Sequence, residues 1–318
     1  MRPSTLLLKI GRIHPVVADA LARGWQAVRG HDNPPHWVLL QLREIANSRT
    51  LRALPVGTTL SILVPANGWI SSEARRLGSY EPATTAICRA ILRPGMVAID
   101  VGANVGYFTL LFAETVGSQG RVIAFEPCSS VYKLLRRNVS DNGLHQVHTV
   151  RGALSNASGR LHLYIAGSDV THSLRPTRFT TELTETIDAT TLDAWVKELE
   201  LPQVDLVKID VEGADLHVLE GASMTLVQHR PYVIVEASDS CAAFGYRPEA
   251  LLQRLEQDGY RVCAIDQLDP LAWSGNLGSA TYVNLLAVPM EKAERLPEFL
   301  DIIAGIRQRI AEASRRDA

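Results

Sequence analysis

Between Val97 and Val288 the chain repeats short, β-branched apolar runs separated by longer stretches of mixed polarity. The runs are Val97–Val101, Arg121–Phe125, Val147–Val150, Val204–Asp210, Tyr232–Glu236, Tyr260–Ile265 and Tyr282–Val288. Helix-compatible stretches fall between most of them: Ser129–Asn142, Leu192–Leu199, Ala214–Gln228 and Pro248–Gln257. Nearly continuous apolar strands alternating with helices predict an α/β fold, a mostly parallel sheet with helices on both faces. Between the last two runs Pro270, Gly275 and Gly278 break any helix. The seventh strand is therefore expected to return antiparallel to its neighbour.

The pattern is less regular on either side. A modestly basic, helix-compatible stretch ends near Leu54, and Thr58–Val64 reads as a strand closed by a turn at Pro65–Gly68. The tail is charged and helical, with Phe299, Ile302, Ile303, Ile306 and Ile310 along one stripe. That stripe is expected to pack on its own domain; a contact with a second copy (a homo-oligomer) or with a membrane surface is the alternative. These breaks divide the chain into an N-terminal lobe, residues 1–90, for substrate or oligomer contacts, a core domain, 91–290, and a C-terminal amphipathic helix, 291–318.

Composition narrows the field. Among 318 residues, 46% hydrophobic and 21% charged is the balance of an ordinary soluble protein. Lys+Arg (32) and Asp+Glu (34) nearly cancel, which disfavours non-specific nucleic-acid binding. Cys88, Cys128, Cys241 and Cys263 lie far apart, so neither a disulfide framework nor a thiolate zinc site is expected, and a reducing cytoplasm fits best. Leu6–Leu8 is cut short by Lys9, too soon for a signal-peptide core, and no run approaches the roughly 20 apolar residues of a membrane span. Without a secretory signal, the sequons at Asn138 and Asn156 read as chance matches.

The chemistry gathers where strands end. Asp100-Val-Gly102-Ala103-Asn104-Val-Gly106-Tyr107 forms a glycine-rich turn between a strand and a helix, which lets a ligand approach the backbone closely. Its spacing is Gly-x-x-x-Gly, and Asn104 stands where the dinucleotide fingerprint has the glycine that admits a pyrophosphate. A nucleoside without a pyrophosphate fits better than NAD, which leaves a nicotinamide-dependent dehydrogenase as the weaker alternative. Glu126, before Pro127, ends the second strand, where a carboxylate can accept hydrogen bonds from both ribose hydroxyls. Asp210 and Glu212 end the fourth strand and Glu236 the fifth, all expected to open onto one crevice. These acids could face a cationic ligand, orient a nucleophile or assist a divalent ion. His172 lies in a polar loop, Gly167–Thr186, that could cap the site. No His/Cys cluster has metal-ligand spacing, so no metal site is expected.

Ile99–Thr109, Phe125–Pro127 and Lys208–Gly213 together resemble the FkbM family of S-adenosylmethionine-dependent methyltransferases. Gly78–Pro82, Gly152–Ser155 with Gly159, and Asp188–Leu192 are similar more loosely, and the likeness covers roughly Tyr80 to Ser238. It implies a class I methyltransferase (Rossmann-like) sheet of strand order 3-2-1-4-5-7-6 and S-adenosylmethionine as cofactor. Gly102, Ala103, Asn104, Gly106 and Tyr107 would approach the methionine part, and Asp100 its amino end. Glu126 with Pro127 would hold the ribose, Gly152 and Ala153 would lie beside the adenine, and Asp210 near the transferred methyl. Family members generally methylate hydroxyls of sugars, polyketides or other secondary metabolites, so a small-molecule acceptor is expected. Asp210, Glu236 and, outside the motifs, His172 are the candidate bases. A non-catalytic, cofactor-binding partner subunit is the alternative from a different class.

Overall fold

The computed structural model describes residues 51–66, 68–166, 172–176, 180–265 and 282–316. The basic stretch before Leu51, residues 167–171 of the polar loop and the Pro/Gly-containing connection at 266–281 lie outside the described residues.

The chain order is β1 (Leu51–Val56), β2 (Leu60–Pro65), α1 (Trp69–Leu77), α2 (Pro82–Ile91), β3 (Val97–Val101), α3 (Tyr107–Val116), β4 (Arg121–Phe125) and α4 (Ser129–Asp141). It continues through β5 (Val147–Val150), β6 (Ala153–Leu154), β7 (Gly159–Ala166), β8 (Thr180–Thr190), α5 (Leu192–Glu198), β9 (Leu206–Ile209), α6 (Asp215–Glu220) and α7 (Ser223–His229). β10 (Tyr232–Ser238), α8 (Glu249–Gln257), β11 (Tyr260–Ala264), β12 (Tyr282–Pro289) and α9 (Leu296–Arg316) complete it.

All seven apolar runs become strands of one sheet, ordered β11-β12-β10-β9-β3-β4-β5. Numbering the runs in sequence, this is 6-7-5-4-1-2-3, the order expected. β12 pairs antiparallel with both neighbours, and the β10–β9–β3–β4–β5 ladders are parallel. Two apolar clusters cover the two faces.

Three expectations need correction. Leu51–Leu54 does not end a helix but belongs to β1, hairpinned with β2. From Ala53 its side chains alternate with period two, Leu54 and Val56 inward and Ala53 and Pro55 outward, which is strand geometry. Ala214–Gln228 is two helices, α6 and α7, broken at Gly221 where the backbone presses on the carbonyl oxygen of Ser155. The Asp193 carboxylate accepts the amides of Met224 (2.9 Å) and Thr225 (2.8 Å) and so caps α7. Finally, the polar loop expected to run to Thr186 is strand from Thr180, because β8 pairs antiparallel with β7 and builds a three-stranded arm, β6-β8-β7.

The hairpin is fixed to the core by two asparagines one turn apart, Asn138 of α4 and Asn142 at its C-cap. Asn138 accepts from the Leu63 amide (2.8 Å) and donates to the Leu63 and Val105 carbonyls (2.9 and 2.7 Å). Asn142 exchanges the same pair of bonds with Ser61 (3.0 and 2.7 Å), so the side-chain amides continue the ladder of β2. Asn138 is thus buried and fully engaged, which explains why its sequon is structural. Val56, Ile62, Val64, Ile87 and Ile91 join the same apolar cluster as Leu111 and Phe112 of α3. Phe299 and Ile303 of the tail stripe are buried in that cluster too, Phe299 edge-on to Tyr232 at 5.7 Å between centroids.

Candidate active site

Side chains alternate faces along a strand, so registers decide which strand-end groups can meet. Asp100 on β3 pairs with Lys208 on β9, Lys208 with Ile234 on β10, and Glu236 with Asn284 on β12. Two-residue steps add Asp210, Ser238 and, one position past β4, Glu126. All occupy one sheet face, the one whose preceding positions are Ala98, Ala124, Leu206, Ile234 and Leu286. A polar row thus crosses the carboxyl ends of four strands, β4, β3, β9 and β10, and the amino end of antiparallel β12, on one side of the sheet.

The glycine turn is wound back onto this row. Gly102, Asn104 and Gly106 take positive φ (81°, 51° and 97°), and a Cβ at Gly102 would fall onto the carbonyl oxygen of Asp210. Glycine is required there because the turn and the end of β9 are in backbone contact. Amides of Gly102 and Ala103 both donate to the Phe125 carbonyl (3.0 and 2.9 Å). Tyr107, the first residue of α3, is buried edge-on to Tyr80 at 5.3 Å.

Glu126 joins the turn to the next strand. One oxygen accepts the Asn104 amide at 3.0 Å and the other the Cys128 amide at 2.8 Å, each keeping a lone pair for a further donor. The side chain is 6% exposed, and burial outweighs the two amides, pushing its pKa up to about 7. Pro127 sets the turn, and Glu185 of β8 accepts the Ser129 amide (3.1 Å) and hydroxyl (2.7 Å), holding the start of α4. Gly152 and Ala153 lead from β5 into β6, alongside Asp188 and Ala189 of β8.

Lys208, 2% exposed, donates to Asp210 Oδ2 at 2.9 Å and sits 4.6 Å from the Phe108 ring centroid. Burial would lower its pKa, but Asp210, Glu81 and Asp100 hold it raised. Asp100 accepts the Thr109 hydroxyl at 2.6 Å. Past β9, Glu212 has a positive φ of 55°, and burial with Asp210 beside it pushes its pKa up to about 9. Asp215 accepts the Val211 and Gly213 amides (3.2 and 3.1 Å), its pKa pushed up to about 7 by burial and Asp210. Burial, then Asp210 and Glu212, hold the Glu236 carboxyl well above the usual range.

The structure therefore brings Asp100, the 102–107 turn, Glu126, Asp210 and Glu236 to one edge. The His172 ring is engaged with the arm. Its Nδ1 accepts the Ala166 amide at 2.9 Å, burial pushes its pKa down to about 4, and its charged neighbour is Glu185 on the arm. Ser173 beside it does reach the site, donating to the Glu212 carbonyl at 3.1 Å. Sequence reasoning missed Glu81, Ser238 and Asn284. Asn284 was visible as a lone amide in the apolar run Tyr282–Val288; Glu81 was not, because 203 residues separate it from Asn284, its hydrogen-bond partner.

This donor set suits a nucleoside carrying positive charge. Glu126 offers two acceptor oxygens for a diol, and the carboxyls around Lys208 would gain from a cation. Among the described residues, no group of His, Cys, Asp and Glu could hold a metal ion.

Residues 100–262 match the model of the methyltransferase FkbM domain. The chain is 29% identical to methyltransferase sdnD of Sordaria araneosa over 49% of its length and 71% of that protein. It is 33% identical to hexuronic acid methyltransferase AglP of Haloferax volcanii, covering 43% of this chain and 54% of that one. With 31-O-demethyl-FK506 methyltransferase FkbM of Streptomyces tacrolimicus the identity is 30%, over 57% of this chain and 77% of that protein. A solved methyltransferase FkbM from Methylobacillus flagellatus aligns with 69% of this chain and 57% of its own, at 15% identity and a TM-score of 0.39.

Proposed function

This chain belongs to the FkbM methyltransferase family, and on that premise we propose that it transfers a methyl group from S-adenosylmethionine to a hydroxyl oxygen of a small-molecule acceptor. The observation that carries this reading is the Glu126 carboxylate bonded to the Asn104 amide while Gly102 packs on Asp210, which unites the ribose acid, the turn and the acids of β9. A sugar, a polyketide or another secondary metabolite is the acceptor class that the FkbM resemblance implies.

Glu126 would hold the ribose hydroxyls, with Pro127 fixing its turn; Gly102, Ala103, Asn104, Gly106 and Tyr107 would line the methionine part. Asp100 would neutralise the amino end, and Gly152 and Ala153 would flank the adenine. When bound, S-adenosylmethionine supplies a methyl group already activated on a sulfonium, so the chain has mainly to align the nucleophile and exclude water. A hydroxyl must lose its proton as it attacks, and a base within hydrogen-bond reach helps. Asp210 has Oδ2 committed to Lys208, and its Oδ1 makes no hydrogen bond among the described residues. Oδ1 is the first candidate base. Glu236 is the second, its raised pKa better matched to a hydroxyl proton than that of an exposed carboxylate.

Calorimetry with S-adenosylhomocysteine and radiolabelled methyl transfer test the reading. Binding in the micromolar range with transfer to a hydroxylated acceptor is expected, and Asp210→Asn should keep binding while losing turnover. An Asp210→Asn protein with full turnover removes Asp210 from the role. Binding without transfer to any acceptor favours a non-catalytic partner subunit, and no binding ends the proposal.

A further inference from the structure

The three-stranded arm is bonded to the chain at both ends of the proposed site. At one end Glu185 of β8 accepts the Ser129 amide and hydroxyl (3.1 and 2.7 Å) and meets Arg151, the residue before Gly152, at 3.3 Å. Ser129 follows Cys128, whose amide bonds Glu126, so Glu185 fixes the backbone that presents the ribose acid. At the other end the Ser173 hydroxyl donates to the Glu212 carbonyl at 3.1 Å. Its oxygen accepts the Arg175 amide (3.4 Å), which leaves the proton for that carbonyl. Ser173 is itself firmly held. Its amide donates to the Tyr164 carbonyl of β7 and its carbonyl accepts the Tyr164 amide (3.2 and 2.8 Å). His172 before it takes the Ala166 amide, and Leu174 after it packs on the apolar cluster.

The segment that Ser173 touches follows Asp210 directly and is strained. Glu212 has a φ of 55°, a conformation disfavoured for a residue with a Cβ and kept only where its surroundings hold it. Two groups from the following stretch do part of the holding. Asp215 accepts the Val211 and Gly213 amides, and the Tyr246 hydroxyl donates to the Gly213 carbonyl at 2.7 Å. The Glu212 carbonyl between them is bonded from the arm. Resting on the methyl-transfer reading, we propose that Ser173 and Glu185 are positioning residues, Ser173 setting the 211–213 backbone, and through it Asp210, for the chemical step, and Glu185 setting Glu126 for the cofactor. A misplacement of about 1 Å far from the chemistry can slow a reaction about a hundredfold, so a single backbone bond at this point has leverage. One ladder carries both residues, since Ser173 is bridged to β7 and β7 pairs with β8. The arm thereby ties the ribose end of the site to the end that holds the first candidate base.

The test compares single variants of the full chain by S-adenosylhomocysteine calorimetry, melting temperature and labelled methyl transfer from S-adenosylmethionine to a hydroxylated acceptor. Ser173→Ala should lower kcat roughly three- to tenfold and leave the S-adenosylhomocysteine Kd in place. Glu185→Ala should instead weaken that Kd roughly three- to tenfold. Adding Ser129→Ala to Glu185→Ala should weaken it no further, because both changes remove one contact. Arg160→Ala breaks an arm ion pair that faces solvent, 3.7 Å from Asp188, and should move neither quantity. Melting temperatures should stay within about 4 °C of the unaltered chain. Full kcat in Ser173→Ala, or an unchanged Kd in Glu185→Ala, removes that residue from its role. Kd and kcat falling together in both variants, in step with melting temperature, would make the arm a structural prop and overturn the proposal. An unaltered chain that binds no S-adenosylhomocysteine defeats the methyl-transfer reading itself. One that binds it without transferring a methyl removes the chemical step and Ser173's part, while Glu185 is still judged by Kd.

Discussion

On one face of the central sheet Val97, Ile99, Val101, Val207, Ile209, Val233, Val235 and Ala237 run apolar to the strand ends. On the other face Ala98, Leu206 and Ile234 give way, in the same strands and registers, to Asp100, Lys208 and Glu236. Solvent does not explain the change, because Asp100 and Lys208 are as buried as the valines behind them. Burying polar and charged groups is unfavourable unless they are paired. The apolar face shows that these strands can pack without them, so the polar row reports a requirement of binding or chemistry, not of folding.

The sharpest way to break this contrast is Lys208→Met. If the row is a balanced charge network, losing its cation leaves Asp210 and Asp100 facing each other in a dry site. The protein should then lose about 3–5 kcal/mol in urea denaturation. A smaller loss would mean that the carboxyls relax by protonation, and a stability maximum shifted to acid pH would reveal it. Next in size is Glu126→Gln, which retains shape but removes the charge-assisted acceptor. Hydrogen bonds to charged groups contribute about 1.5–3 kcal/mol, so S-adenosylhomocysteine affinity should fall about ten- to a hundredfold by calorimetry. An unchanged affinity would put the ribose elsewhere.

How much of this was legible follows from the same contrast. Seven buried strands announce themselves because both faces are apolar over most of their length, and the strand-end motifs are contiguous in sequence. The arm strand Thr180–Thr190 does not, because its run of Thr and Glu reads as polar loop and only Ile187 and Ala189 of its described side chains are buried. Leu51–Val56 is similar, with Arg52, Ala53 and Pro55 exposed. In the site, Glu126 and Asp210 were readable from their strand ends. Glu81 was not, since only the fold brings α2 beside Asn284 of β12. A histidine in a polar loop, such as His172, carries no sign in the sequence of which backbone amide will claim its ring.

A pH series sharpens the comparison without a mutation. Unfolded carboxyls titrate near 4, whereas Glu126 and Asp215 are pushed up to about 7 and Glu212 to about 9. Between those limits the folded protein holds more protons than the unfolded chain, so its stability should fall as pH rises from 5 to 9. A cationic ligand favours the ionised carboxyls, so the thermal shift from S-adenosylmethionine should grow over the same range, and more than that from S-adenosylhomocysteine. Melting curves with and without each ligand check both signs, and a shift that shrinks with pH would deny the carboxyls contact with the ligand's charge.

The smallest effect belongs to the apolar face. Ile209→Val sits one residue from both Lys208 and Asp210 in sequence but points to the opposite side of the sheet. Deleting one methylene there should lower stability by about 1 kcal/mol through lost packing. The S-adenosylhomocysteine affinity should be unmoved, since the backbone at Asp210, whose carbonyl meets Gly102, is held by its amide's bond to the Val101 carbonyl, not by this side chain. If a change so modest weakened binding as much as Glu126→Gln, the two faces would be mechanically coupled through β9. The polar row could then no longer be treated as a separate layer laid over a passive core.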